Sequence, residues 1–508
     1  MDDGTCFLVD CGMFQGGSQI EMRNASTGHY RVSELKGIFI THAHIDHSGL
    51  VPRLVREGYR GPVYATAPTA DLLKILWLDS AHIQEMEALW QSRKNTRKGR
   101  RTVEPLYTTP DAEATIKLLQ PIPLDQKMGM LPGVEAMFVQ AGHILGAASL
   151  HLRLTGSNGV HRVGFSGDLG RPGQLIVPDP EVMPELDTVF MESTYGNRHH
   201  KSLADSISEL IEVVQQAYRD RGKVLIPAFA VERTQEIIYT LARAYERGEL
   251  PKDMPVFLDS PLAIQATEIF RRYPEFLDED TQEILDDGRT PMNLPTLKFT
   301  SSTEESQKLN EYDGPAIIIA GSGMANAGRI KHHLKHNLWR TNCHVVIVGF
   351  QAKGTTGRLL VEGAHKVKIF REDVVVKAKI HTIGGFSAHA DQGELLSWLA
   401  YLAHPGLTVN LIHGEFESIQ ILKQVAQARF PEVRFHIPEW KEVVRLKAVP
   451  VGAEAMAREG SAVRAVDLRR RLIELESRLT VKASSLDSEQ MELLDQALRQ
   501  AEAAMGGA

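Results

Sequence analysis

Apolar residues in this chain gather in short runs bounded by glycine or polar residues, the pattern of buried strands. Seven of these runs stop at, or just before, a residue that can bind a metal or move a proton. Phe7-Leu8-Val9 ends in Asp10, Ile38-Phe39-Ile40-Thr41 in His42, and Met137-Phe138-Val139 is followed by Gly142-His143. Val163-Gly164-Phe165-Ser166-Gly167 leads to Asp168 and Thr188-Val189-Phe190-Met191 to Glu192. Gly384-Gly385-Phe386-Ser387 precedes His389, and Val409-Asn410-Leu411-Ile412 precedes His413. Read as strands, the runs bring their terminal residues together along one edge of the sheets, where loops on a rigid scaffold carry function. One such ending means little alone; seven form a constellation.

Between Glu192 and His389 strands alternate with helices. Lys223-Val224-Leu225-Ile226-Pro227 precedes a helix expected from Arg233, and Val256-Phe257-Leu258 one near Leu262. Pro315 to Ala320 runs into Gly321-Ser322-Gly323-Met324 and a helix near Arg329, and Val345 to Val348 closes the series. This alternation predicts a mostly parallel, doubly wound sheet. Ligand candidates flank it in sequence, so it reads as an α/β domain inserted into the first. From about residue 451, Leu468, Leu472, Leu475 and Leu479 recur at a/d spacing among arginine and glutamate. That spacing predicts a short amphipathic helix that packs on its own domain or joins the two subunits of a homodimer.

The densest chemistry is His42-Ala43-His44-Ile45-Asp46-His47, four metal-competent side chains within six residues. Imidazole and carboxylate suit a borderline cation such as zinc, and a loop leaving a strand can fold them toward one point. Four so close suggest more than one metal, because one tetrahedral site would need sharp bends between Asp46 and its neighbours. A histidine-rich surface loop is the plain alternative. Composition narrows the class: 508 residues, 43% hydrophobic and 24% charged, fit a globular chain of two or three domains. A net charge of −7 excludes a uniformly basic surface but not a local basic patch. Three cysteines, Cys6, Cys11 and Cys343, imply no disulfide framework and fit a reducing compartment. The acidic start, Met1-Asp2-Asp3-Gly4, lacks a signal-peptide pattern, and no apolar run is long enough to cross a bilayer. A cytoplasmic location is expected.

Together these residues resemble the metallo-β-lactamase superfamily, specifically its β-CASP branch of nucleases, from Asp10 to about Val449. His42-x-His44-x-Asp46-His47 matches the superfamily signature, and Asp10, His143 and Asp168 match its other motif positions. Glu192 in Glu192-Ser193-Thr194-Tyr195-Gly196, His389 in Phe386-Ser387-Ala388-His389 and His413 in His413-Gly414-Glu415 match the motifs that define the branch. Ile226-Pro227-Ala228-Phe229-Ala230 and Gly321-Ser322-Gly323-Met324 add to the match, which is nearest to bacterial relatives of the RNA 3′-end-processing endonuclease.

The resemblance implies an αβ/βα sandwich (residues 1–195 and 385–450) interrupted by a β-CASP domain (196–384), and the helical tail read from the leucine spacing (451–508) has no counterpart in the family. The active site would lie in the cleft between the two domains. Two zinc ions are implied: one on His42, His44 and His143, one on Asp46, His47 and His413, with Asp168 bridging them and a hydroxide shared between them. Asp10 would orient the ligands or the hydroxide. His389 would protonate the leaving oxygen, with Glu192 on its other ring nitrogen. The implied activity is zinc-dependent hydrolysis of RNA, single-stranded RNA being the expected partner, with no membrane involved. Members of the branch usually carry one or two more strands before the position of Asp10, so an unpaired sheet edge is expected there, from a misassigned start or a partial sequence. No appended RNA-binding module is visible in the sequence, which leaves substrate binding to the cleft.

Ser322, Gly323 and Arg329 are candidate substrate contacts, in a strand-to-helix turn whose N–H groups can cradle a phosphate. A tight turn needing glycine is the alternative there and at Gly354-Thr355-Thr356-Gly357-Arg358. Arg93, Lys94, Arg97, Lys98, Arg100 and Arg101 form either a footprint for a nucleic-acid backbone or a solvated helix end. His332, His333 and His336 are expected on a polar or phosphate-facing helix surface rather than at a third metal site. Competing functions are a DNA-directed nuclease of the same branch, a small-molecule hydrolase of lactones, thioesters or β-lactams, and a silent metal-binding scaffold. The 245 positions between Asp168 and His413 exceed what a single-domain hydrolase needs. In the family, histidine at the position of His413 goes with RNA-directed members, and the full ligand set argues against silence.

Overall fold

Parallel strands covered on both faces need near-continuous apolar sequence, and most strands of the first layer have it. Cys6–Val9, Leu35–Phe39, Val63–Thr66 and Leu119–Ile122 form a four-stranded parallel sheet in sequence order. Cys6–Val9 is an edge strand that pairs, among the described residues, only with Leu35–Phe39. The computed structural model describes residues 1–447 except 2, 16, 17 and 184. The helix expected from about 451 therefore lies outside the described residues.

Facing this sheet is a seven-stranded mixed sheet in the order Arg434–His436, Thr408–Leu411, Thr188–Met191, Gly159–Phe165, Ala148–Gly156, Val134–Gln140, Met128–Leu131. Phe39, Tyr64 and Ile122 of the first sheet share one core with Phe138, Leu150, Leu152 and Val163 of the second. Phe39 stacks on Tyr64 with ring centres 5.2 Å apart and meets Phe7 edge-on at 5.7 Å. On the outer face of the first sheet, helix Ala67–Thr96 buries Trp77 in a core with Ile38, Ile40 and Val63. Helices Gln392–Leu402 and Phe416–Arg429 contribute Leu395, Leu399, Leu422 and Ala426 to the core that holds Val189, Met191 and Val409 of the second sheet. The two sheets with their outer helices make the expected αβ/βα sandwich.

A third sheet has six parallel strands in the order Leu297–Phe299, Val256–Leu258, Ala316–Ala320, Lys223–Pro227, His344–Ile347, Lys379–Thr382. Alternate residues face opposite layers. Val224, Ile226 and Ile317 share a core with Ile237 and Leu241 of helix Arg233–Glu246, whereas Leu225 and Ile318 pack with Ile330 and Leu334 of helix Ile330–Asn337. This is the doubly wound insertion read from the sequence, with its helices starting within a few residues of the expected points.

Two local readings differ, and the basic run from Arg93 takes the helix-end alternative. Gly384-Gly385-Phe386-Ser387 is no strand: Gly384–Phe386 forms a single 3-10 turn, and the strand is Lys379–Thr382 just before it. That strand is an edge whose residues are mostly polar, so no apolar run marks it. Gly385 is pressed against Ser206, where a Cβ would come within 2.1 Å of Oγ. His333 is not on a helix surface with His332 and His336; it is fully buried, with Nε2 2.6 Å from the Asp259 carboxylate. The basic run from Arg93 lies at the far end of helix Ala67–Thr96, where Arg93 and Lys94 complement the helix dipole. At about 1.5 Å per residue it stands roughly 45 Å from the start of that helix.

Phe39 carries the contact between the two sheets of the sandwich. Phe39→Ala should cost about 3–5 kcal/mol, measured as a lowered urea midpoint against the unsubstituted protein.

Candidate metal centre and active site

Asp10 ends its strand with a positive φ of 57°, a conformation rare outside glycine that turns its carboxylate back over the neighbouring strand end. Oδ1 accepts from the Thr41 backbone N–H at 2.8 Å, and Oδ2 accepts from the Thr41 hydroxyl at 2.8 Å and from His47 Nδ1 at 2.7 Å. The Thr41 hydroxyl, its hydrogen committed to Asp10, lies 3.1 Å from His42 Nδ1 and can only accept a hydrogen bond from it. One carboxylate thus orients two imidazoles through Nδ1, turning Nε2 of each into the site, where a neutral ring would offer its lone pair. The following residues, Cys11 and Met13, donate their N–H groups to the carbonyls of His47 and Ile45. Gly12 lies between them so close to Asp46 that a Cβ would fall 1.4 Å from its carbonyl oxygen.

Two clusters of ligand atoms result. In the first, His44 Nδ1 is 3.2 Å from both His42 Nε2 and His143 Nε2, and these two nitrogens lie 3.5 and 3.6 Å from Asp168 Oδ2. His143 Nδ1 donates to the Ala388 carbonyl at 3.1 Å, which keeps its Nε2 a lone-pair atom. In the second, His47 Nε2 is 3.2 Å from His413 Nε2 and 3.2 Å from Asp168 Oδ1, and His413 Nε2 is 3.6 Å from Asp46 Oδ2. The Thr194 hydroxyl holds His413 Nδ1 at 3.1 Å.

This donor set fits metal. Two ligand atoms each about 2.0–2.1 Å from one zinc ion, at the tetrahedral angle, stand roughly 3.3–3.4 Å apart, close to the spacings found. Lone pairs facing one another at these distances repel unless a cation lies between them. Asp168 Oδ1 is buried and in no well-aligned hydrogen bond, although His47 Nε2 and His413 Nδ1 lie 3.2 and 3.3 Å away, as befits an atom that a metal would share with imidazoles.

Charge follows the same plan. Burial keeps His42 and His143 well below the ordinary histidine range and pushes His44 down to about 4, so all three are neutral, the form that ligates. Burial also works against charge on His47 and His413, but the carboxylates overcome it: Asp168 and Asp10 raise His47, and Asp168 and Asp46 raise His413 to about 9. Burial would raise Asp168, yet His413, His47 and His42 hold its carboxyl well below the usual range. The carboxylates here demand positive charge, which a divalent ion held by these residues would supply in place of the imidazole protons.

Beside Asp168 lies the third group. Glu192 is fully buried; its Oε1 accepts from the Leu169 N–H at 2.6 Å and stands 3.4 Å from His389 Nδ1. His389 Nδ1 is also 3.8 Å from Asp168 Oδ2, and its side chain is 22% exposed. Burial disfavours its charged form, but the Glu192 and Asp168 carboxylates prevail and its pKa is raised.

The ten residues from Asp10 to His413 thus meet, whereas the expected substrate contacts sit on the inserted domain. Ser322 Oγ bonds the Ala327 backbone, Gly323 packs on the Phe229 ring, and Gln351 Nε2 donates to the Gly323 carbonyl at 3.0 Å. The Arg329 guanidinium braces this turn by pairing with Asp259 at 2.7 Å and donating to the carbonyls of Thr300 and Ser301. In Gly354-Thr355-Thr356-Gly357-Arg358, Thr355 caps helix Thr356–Val361. Sequence reading passed over Thr41, Thr194 and Gly12; Thr41 and Thr194 each lie one or two residues from a motif residue, the only signal they offered.

Three sequence families map onto this chain: the Metallo-beta-lactamase superfamily over residues 2–227, the Beta-Casp domain over 234–360 and the Zn-dependent metallo-hydrolase RNA specificity domain over 373–438. The chain is 37% identical to ribonuclease TTHA0252 of Thermus thermophilus, over 85% of its own length and 92% of that protein. The chain belongs to the β-CASP branch of the metallo-β-lactamase superfamily. As a β-CASP protein it is a metal-dependent hydrolase by family. It is also 34% identical to transcription termination factor FttA of Thermococcus kodakarensis, over 81% of this chain but only 62% of that protein. For FttA of Methanocaldococcus jannaschii the identity is 30%, over 87% and 68%. Part of each FttA thus lies outside the match.

Asp10→Asn should weaken metal binding about 10–100-fold, since partners that orient a ligating histidine have effects of that size. Competition with a chromogenic chelator measures it, and unchanged metal retention would show that Asp10 does not set His47.

Proposed function

We propose that this protein is a zinc-dependent ribonuclease that hydrolyses RNA phosphodiester bonds at a two-zinc centre. The observation that carries the reading is the Asp168 carboxylate, with one oxygen facing His42 and His143 and the other facing His47. His42, His44 and His143 would hold one ion, Asp46, His47 and His413 the other. The chemistry such ions supply when bound is an acidified water and neutralisation of charge on a phosphodiester.

The chain's own residues do the rest. Asp10 and Thr41 fix the tautomers of His47 and His42. Glu192 holds Nδ1 of His389, which leaves Nε2 to face the cleft and protonate the departing oxygen. The Glu192 and Asp168 carboxylates raise the His389 pKa above the ordinary histidine value and so favour its charged form, and the rate should fall as pH rises through that pKa. The turn around Ser322 and Gly323, braced by Arg329, is the proposed contact for a flanking phosphate. RNA rather than DNA or a small ester is favoured by the ribonuclease relative and by the location of His389 and His413 within the span matched by the RNA specificity domain.

Purified protein should contain about two zinc ions per chain, and elemental analysis giving none in a folded sample would reject the centre. Zinc-loaded protein should cut end-labelled RNA in preference to matched DNA, and Asp168→Ala or His44→Ala should abolish cutting. His389→Ala should lower the rate by about 10²–10⁴, as for a lost general acid, with zinc content unchanged. A substrate with a better leaving group should recover most of that loss. Loss of a zinc ion from His389→Ala would instead make His389 a ligand.

A further inference from the structure

The loop that carries His143 is gripped from several directions. His143 Nδ1 donates to the Ala388 carbonyl, and Gln174 Nε2 lies 3.5 Å from the His143 carbonyl. The Gly146 carbonyl accepts the hydroxyls of Thr66 and Thr69, at 2.6 and 2.8 Å. A further grip is Glu232, whose Oε2 accepts the Leu145 N–H at 2.9 Å. Glu232 follows the strand Lys223–Pro227, so it reaches the metal loop from the inserted sheet, while the other partners come from the sandwich and its loops.

Glu232 is unusual in four ways. It is a carboxylate only 1% exposed. It adopts φ 68° and ψ −66°, a strained backbone for any residue but glycine. It precedes helix Arg233–Glu246 yet makes no side-chain capping bond, so a cap does not explain it. Oε1 is buried with no hydrogen-bond partner, and burial together with nearby Glu236 pushes its carboxyl well above the ordinary range. A buried acid in a strained backbone is costly, and the contact it makes here is to a loop that bears a ligand.

We propose that Glu232 is a positioning residue for the metal centre, tying the loop that presents His143 to the inserted domain through the Leu145 N–H. The inference rests on reading His42, His44 and His143 as metal ligands. It adds a determinant outside the sandwich: without Glu232, the inserted sheet no longer fixes the main chain two residues beyond His143.

Glu232→Gly and Glu232→Gln separate this role from a structural one. Glycine accepts the positive φ without strain but offers no oxygen; glutamine keeps an acceptor of the same reach. Glu232→Gly should keep its thermal unfolding temperature, release one of its zinc ions to a chromogenic chelator about 10–100-fold more readily, and lose kcat with KM unchanged. Glu232→Gln should retain zinc and rate like the unsubstituted protein. If Glu232→Gly fails to fold, Glu232→Met, of equal length and without an acceptor, makes the same comparison. Unsubstituted zinc affinity in the variant lacking the acceptor would overturn the proposal, as would equal loss in Glu232→Gln. Zinc release is read without RNA, so a protein that cuts no RNA would reject the ribonuclease reading and leave this comparison intact.

Discussion

A carboxylate at the end of a buried strand must find positive charge or remain protonated, and the fold around Asp168 answers that demand. Its side chain is almost wholly enclosed, and both oxygens point at imidazoles rather than at water. Each supporting element approaches closely. The turn before Asp168 passes so near Thr41 that a Cβ on Gly167 would come within 2.8 Å of it, and Thr41 is the residue Asp10 grips. Motifs far apart in sequence are therefore held within a bond or two of each other. A disturbance at any one of them reaches the carboxylate.

The residues whose chemistry differs most from their apolar surroundings were the most legible. A histidine or aspartate ending an apolar run is conspicuous, and all seven such endings converge. The parallel character of the inserted sheet was equally visible, because strands such as Ala316–Ala320 are apolar throughout. Less visible was whatever depends on close approach. Gly12 matters only because the Asp46 loop passes over it, and spacing along the chain carries no record of that. Lys379–Thr382 was missed because an edge strand needs little apolar sequence. His333 was misplaced because Asp259, which makes its burial tolerable, lies on a different strand end.

Residues on both sides of the insertion meet at the site. Glu192, before the insertion, and His389, after it, meet beside Asp168, so the contact between them depends on the chain returning in register. The return is fixed by pairing of Thr408–Leu411 with Thr188–Met191, which puts His413 beside Ser193 and Thr194.

That pairing sets an order of events during synthesis. A chain emerging from the ribosome exposes the His42 to Asp168 ligands long before the strand at Thr408 exists, and non-local parallel pairing is slow to form. Until that strand docks, the nascent protein has part of a metal centre but neither His389 nor His413 in position. The cluster that needs His413 can therefore assemble only after nearly all of the described chain has been made.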